Sequence, residues 1–536
     1  MVVKFVPKPA EQSGDDDRTA VPEVPQQLLE RHGARVLHPA NALVAGGPYP
    51  PPRSTVYRAA TMLVPNELAR DPKVVAAFNG VLSELGVEMV PPRRQDNLTE
   101  RLDRLPRPVP MRVTGEVGKP AQLDCWHALQ HLRVAALNGK LPKDLVDQLS
   151  VDHLLVGTVD IGGTPWEASG AGGAPWEASG TPGSGYARGG TTGRIPVALA
   201  APAPPRGTLD RRPVVAVVDS GIGPHPWFDL PDRTAPPPAG GFLSVFPELQ
   251  EAIRKQGEEA ALTTTTQVLL DYWDAPVTDN PLIGMLDRDT GHGTFIAGIV
   301  RQSAPEANVL AIRVLHSDGV AYESDVLLAL WGLILRVQDA QEHDPERMVD
   351  VVSLSLGYFD EAGSTSTFTG QIAEAIDKLR ELGVLVVAAA GNDATSRRFY
   401  PAALAERPSN PDIAPQVVSV GALNPSTTRA LFSNEAPWVR AWATGAGVVS
   451  TFPTDVQGAI SANLMPATGR GALDSDDFRA GFAVWDGTSF AAPLAAAEIT
   501  AAMIRCSAED PGLALKGVDR KVAVKRAWAA LTKAGG

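Results

Sequence analysis

The chain runs to 536 residues, too long for one ordinary core, and 44% of them are hydrophobic, which excludes general disorder and leaves material for two or three packed domains. Lys and Arg number 48 against 61 Asp and Glu, a formal charge of −13, so a general polyanion-binding role is excluded and no nucleic-acid partner is expected. Only Cys125 and Cys506 occur, which implies no disulfide framework, and no stretch approaches the roughly 18 apolar residues that a membrane-crossing helix needs, so no membrane partner is expected.

Residues 1–54 are rich in Pro, Gly and charge and read as a disordered lead. The acids Asp15, Asp16 and Asp17, with no apolar run beside them, argue against a secretory signal, so the expected location is the cytoplasm. Residues 55–159 read as a compact α+β domain. Its strands are expected at 56–64, 87–90, 109–114 and 153–159, with helices at about 71–85 and 121–137 and a short one at 143–149. The arginines from Arg93 to Arg112 are interrupted by Asp96, Glu100 and Asp103 and carry no aromatics for base stacking, as in a solvated loop. Residues 160–212 repeat Pro-Trp-Glu-Ala-Ser-Gly at 165–170 and 175–180 among further Gly, Thr and Pro, which reads as a flexible linker.

From Pro213 to the end, short apolar runs at 214–218, 309–314, 351–356, 384–390 and 417–420 look like parallel strands buried on both faces, with helices between them at about 323–338 and 370–382. The fold class expected is α/β, a doubly wound and mainly parallel sheet, preceded by the small α+β domain. Three segments carry chemistry. Asp219 ends an apolar strand in Val-Val-Asp-Ser-Gly, His292 sits in Gly-His-Gly-Thr, and Ser489 sits in Gly-Thr-Ser-Phe-Ala-Ala-Pro. Taken singly, each residue type at such a place is more often a turn or a helix cap. Together, an acid, an imidazole and a hydroxyl are the inventory for acyl transfer by an activated serine.

The three segments, in this order, resemble the signatures of the subtilisin-like serine proteases, the S8 peptidases, and Ala388-Ala-Ala-Gly-Asn392 resembles the segment that holds the family's oxyanion-stabilising Asn. The resemblance covers about 213–532. It implies a serine endopeptidase with Ser489 as nucleophile, His292 as general base, Asp219 orienting the imidazole and Asn392 as oxyanion donor. It also implies that an extended substrate lies between Ser355-Leu356-Gly357 and a strand containing Gly319 and Val320, near Ala390 and Gly391, held mainly by main-chain hydrogen bonds. Protein or peptide substrates are the partners implied.

Several features depart from the pattern or lie outside it. Phe295 and Phe490 stand where many members carry His and Met, which removes no catalytic atom. Residues 223–290, with a helical patch at 248–262, read as a surface insertion. Asp271, Asp274, Asp279, Asp287 and Asp289 could bind calcium, but their spacing fits no calcium loop, so they read as solvated acids; no cofactor is required and no metal site is assigned. Asp393, after Asn392, is a candidate to favour a basic substrate side chain. The 55–159 domain stands where such proteases often carry an inhibitory pro-domain, so the chain's own N-terminal domain is an expected intramolecular inhibitor; a partner-sensing or recruiting domain fits equally well. Two rival classes remain: a serine-carboxyl protease, against which Gly-His-Gly-Thr speaks, and an inactive protease fold used for binding, in which a catalytic atom should be missing.

Overall fold

The computed structural model describes residues 2–5, 24–91, 98, 102, 105–114, 123–157, 194–275, 278–280, 285–361, 370–458 and 477–535. β1 (Val3–Phe5) runs antiparallel to Ala441–Thr444. The helix Gln26–Arg31 follows, then β2 (Ala34–Leu37), β3 (Thr55–Pro65), β4 (Val87–Met89), β5 (Pro106–Val113) and β6 (Ser150–Gly157). These last strands lie in the spatial order β6-β3-β5-β4, with β2 on β3, and all the pairs are antiparallel. Helices Pro72–Leu82 and Cys125–Leu137 start on aspartate caps, Asp71 accepting from the Lys73 N–H and Asp124 from the His127 N–H. They bury Phe78, Leu82, Leu129 and Leu132 in one cluster with Met62, Val109 and Met111 of the sheet.

Three expectations need correction. The lead is not disordered among its described residues, since β1, the first helix and β2 all lie within it; three or four residues carry no readable period, and their order comes from long-range pairing. β5 begins at Pro106 rather than 109. Its prolines alternate, so the missing N–H groups share one edge, away from β3, where the Pro110 carbonyl still accepts the Val90 N–H at 2.8 Å. Residues 158–159 of the expected last strand and 160–193 of the linker lie outside the described residues. The later part of the linker is docked: β7 (Ile195–Pro196) joins a small sheet, and buried Arg211 donates two hydrogen bonds to Asp350 at 2.7 and 3.0 Å.

The second half of the chain adds β8 (Val214–Asp219), β9 (Leu243–Val245), β10 (Thr278–Asn280), β11 (Met285–Leu286), β12 (Asn308–Arg313), β13 (Val320–Tyr322), β14 (Val351–Leu354), β15 (Leu356–Gly357), β16 (Leu385–Ala389), β17 (Val418–Leu423), β18 (Ala441–Thr444), β19 (Val448–Thr451) and β20 (Phe482–Trp485). Eight strands form the main sheet in the order β1-β18-β17-β16-β14-β8-β12-β9, parallel throughout except for β1. Along β8 the side chains alternate between two cores. Val214, Ala216 and Val218 join Leu327, Leu330, Ile372 and Ile376 of the helices Glu323–Glu342 and Gly370–Glu381. Val215 and Val217 join Ile296 and Ile299 of the helix His292–Ser303 and Ala495 of Thr488–Glu509. A strand buried on both faces reads as an unbroken apolar run, which is why this sheet was visible in the sequence.

The 223–290 stretch is more than a surface insertion. β9 extends the main sheet, and the helix Pro247–Ala261 buries Leu249 and Ile253 in the first of those cores. Among the described residues no helix is long and apolar enough to cross a membrane.

Candidate active site

Asp219 is the last residue of β8, so the central strand delivers its carboxylate at the carboxyl edge of the sheet. His292 opens the helix His292–Ser303, with Gly291 before it at φ +85°, a left-handed conformation that favours glycine. Gly293 is required by a close approach: a Cβ there would lie 2.1 Å from the Gly221 carbonyl oxygen. The two segments therefore touch backbone to backbone, and His292 Nδ1 reaches Asp219 Oδ1 at 2.7 Å. Asp219 Oδ1 also accepts the Ser220 N–H at 2.7 Å.

Ser489 is the second residue of the helix Thr488–Glu509. Its Oγ donates to the Ser355 carbonyl at 3.4 Å, and Ser355 Oγ donates to the Ser489 carbonyl at 2.9 Å. Asn392 Oδ1 accepts from both the backbone N–H (3.0 Å) and the hydroxyl (2.8 Å) of Thr488, which identifies its NH₂ branch as the donor. The Gly391 N–H donates to Thr488 Oγ1, and the Ala390 carbonyl accepts from Asn434, so 390–392 is bound to the start of the serine helix. The rings of Trp485 and Phe490 stand 5.6 and 5.4 Å from that of His292. Among the described residues His292 Nε2 is buried without a hydrogen-bond partner, a costly state for an imidazole nitrogen unless that atom is reserved for a reaction. Burial works against the charged ring, but Asp219, helped by Asp289 and Asp274, outweighs it and raises the His292 pKa above its ordinary value.

Gly319, Val320, Leu356 and Gly357 also come together, around a strand of this same chain. β6 runs antiparallel between β13 and β15. Val156 lies opposite Val320 and Gly357, Gly157 lies opposite Leu356, and the Gly157 N–H donates to the Gly319 carbonyl at 2.8 Å. Asp219, His292 and Ser489 are each no more than 1% exposed.

Of the acids read as solvated, Asp271 keeps that place, with its side chain 49% exposed, and three others do not. Asp274, Asp287 and Asp289 are buried. Asp274 accepts from Ser220 Oγ (3.1 Å) and the Gly291 N–H (2.6 Å), and so braces both catalytic segments. Burial pushes the Asp289 carboxyl up to about 7 against the opposing pull of His292. The Asp279 side chain lies outside the described residues. Asp393 hydrogen-bonds Asn434 and has Arg397 as a nearby counter-charge. Sequence reasoning missed the bracing role of Asp274, because only the fold brings it to Ser220 and Gly291.

Residues 210–509, more than half of the chain, match the model of the subtilase family of S8 peptidases. The chain belongs to the subtilase family. It is 29% identical to the minor extracellular protease Epr of Bacillus subtilis over 44% of this chain and 27% of that one. It is 29% identical to subtilisin DY of Bacillus licheniformis over 33% of this chain and 58% of the relative, and 30% identical to subtilisin E of Bacillus subtilis over 33% and 42%. In each case less than two thirds of the relative's length is spanned. Epr is extracellular by its name, so the cytoplasmic expectation gains no support from these relatives.

Proposed function

We propose that this subtilase is a serine endopeptidase whose N-terminal residues, 24–157, act as an intramolecular inhibitor. The observation that carries the enzymatic reading is the buried Asp219–His292 pair, with Nδ1 committed at 2.7 Å and Nε2 without a partner among the described residues. In the reaction, Ser489 Oγ attacks the scissile carbonyl carbon while its proton passes to Nε2 of neutral His292. Asp219 keeps the imidazole in the required tautomer and stabilises the cation that forms. The developing oxyanion takes hydrogen bonds from the Asn392 amide and the Ser489 N–H. The C–N bond then breaks as Nε2 returns the proton to the leaving amine, and water repeats the sequence on the ester.

The inhibitory reading is supported by β6, which occupies the groove assigned to substrate and pairs on both sides. A recruiting domain would have no reason to bury the nucleophile. The test is a fluorophosphonate probe applied to the full chain before and after removal of the N-terminal part. Label is expected on Ser489 in the second sample, little in the first, and none in Ser489→Ala. Label on another residue would refute the enzymatic reading. Equal labelling of both samples would refute inhibition.

A further inference from the structure

The groove has one position where the occupant strand meets a wall. At Gly157 an added methyl would have no room, since a Cβ there would lie 2.7 Å from Asp289 Oδ2 and 3.1 Å from Leu315 Cδ2. On its other side Oδ2 already fills the space that a Cβ on Gly319 would take, 2.1 Å from that position, so the carboxylate is packed against the Gly319 backbone. The carboxylate is wedged between two glycines, one belonging to the wall of the groove and the other to the strand that lies in it.

Both walls are tied to the catalytic pair. The Asp289 carbonyl accepts the His292 N–H at 3.0 Å, its own N–H donates to the Ser317 carbonyl at 2.7 Å, and the Leu315 N–H donates to the Asp219 carbonyl at 3.0 Å. Moving either wall would move the triad. Among the described residues Asp289 Oδ1 is buried and has no hydrogen-bond partner, so no hydrogen bond to that oxygen fixes the side chain against its occupant.

Register identifies the position in substrate terms. Gly157 lies opposite Leu356, and the preceding residue of that wall, Ser355, is the one whose carbonyl accepts from Ser489 Oγ at 3.4 Å. A peptide that follows the path of β6 for one residue more brings its carbonyl to Ser489. The place of Gly157 is therefore the second residue before the scissile bond.

We propose that Asp289 and Leu315 close this subsite to side chains, so that the enzyme selects peptides with glycine at the second residue before the cleaved bond. The proposal rests on the peptidase reading above and names its substrate class. Asp289 acts here by volume, and its charge is incidental.

The test uses the full chain, activated by removal of its N-terminal part, on fluorogenic peptides that differ only at that second residue, with Gly, Ala, Lys or Glu. Wild type is expected to favour Gly over Ala in kcat/KM by at least about tenfold, the lower part of the range for an overpacked methyl. Asp289→Asn keeps the volume and should keep the preference. Asp289→Ala should bring Gly and Ala within about threefold. Equal rates in wild type would overturn the proposal, as would a Lys preference abolished in Asp289→Asn, which would make the carboxylate a counter-charge. If Ser489 takes the fluorophosphonate but no glycine peptide is cleaved, the subsite assignment fails alone; if Ser489 takes no label, the peptidase reading fails and the proposal with it.

Discussion

The Asn392 amide is oriented before any substrate arrives, because Thr488 holds its oxygen through two hydrogen bonds of 3.0 and 2.8 Å. A donor fixed in this way costs no reorganisation when charge develops on the substrate oxygen. Asn392→Ala should lower kcat by about 10²- to 10³-fold with little change in KM, a range taken from loss of such a donor in a subtilisin. The variant leaves the Thr488 N–H without this acceptor, at about 1–3 kcal/mol, against a total stability of about 5–15 kcal/mol, so it should still fold. A change in kcat of less than about threefold, in a chain with unchanged circular dichroism, would remove Asn392 from the oxyanion role. Asp219, His292, Asn392 and Ser489 were legible in the sequence because each sits in a local motif that shapes its own turn or helix start. Asp274 and Asp289 were not: whether an acid is solvated or buried is decided by segments far away in the chain, here by Ser220 and Gly291 for the one and by Gly157 and Gly319 for the other.

At the scale of elements, β6 is where the two halves of the chain meet. Val156 pairs with β13 on one side and β15 on the other, so at that residue the backbone should matter more than side-chain identity. A proline at that position removes one donor and adds a ring to a paired strand. Val156→Pro should raise the rate at which fluorophosphonate labels Ser489 in the full chain by at least about tenfold, given a net loss near 1 kcal/mol for the bond and more for the ring. An unchanged rate would mean that something other than β6 covers the serine. Strand length explains which elements could be read in advance. β8, β12, β14, β16 and β17 run for four to six residues between two cores and appear as apolar blocks. β1, β9, β13 and β15 have two or three residues each, too few for any period, and the last two form the groove. Sequence alone reached that groove through resemblance to a family rather than through pattern.

At the scale of the whole molecule, the N-terminal part is fastened to the catalytic part by buried charge. His153 of β6 places Nδ1 2.5 Å from Glu323 Oε2 and Nε2 2.6 Å from Glu361 Oε2. Beside it, Asp152 accepts from Arg58 at 3.0 Å and from the Ser324 N–H at 3.0 Å, and the Tyr358 ring lies 4.8 Å from the imidazole. Burial disfavours the charged ring, yet Glu361 and Glu323 outweigh it and hold the His153 pKa well above its ordinary value. A pKa raised on docking gives a contribution that is complete below the undocked value and is lost as pH rises through the docked one. Asp289, raised to about 7, has the same sign: its burial under β6 becomes costlier as pH climbs from the ordinary carboxylate range to about 7. Asp318, which His32 and Arg31 hold at 2.9 and 2.7 Å, has a lowered pKa and works oppositely, fastening the parts above the carboxylate range and releasing them in acid. The acid and alkaline sides therefore loosen different ends of the interface, and His153 governs the alkaline one. Amide hydrogen exchange along 150–157 in the Ser489→Ala chain isolates this effect from the titration of the triad. Protection, corrected for intrinsic rates, should fall by at least about tenfold between about pH 6 and about pH 10, since breaking a buried pair costs about 3–5 kcal/mol. His153→Gln should lower protection already at the acid end and flatten the profile. A profile that keeps its slope in His153→Gln would place the alkaline release on another group.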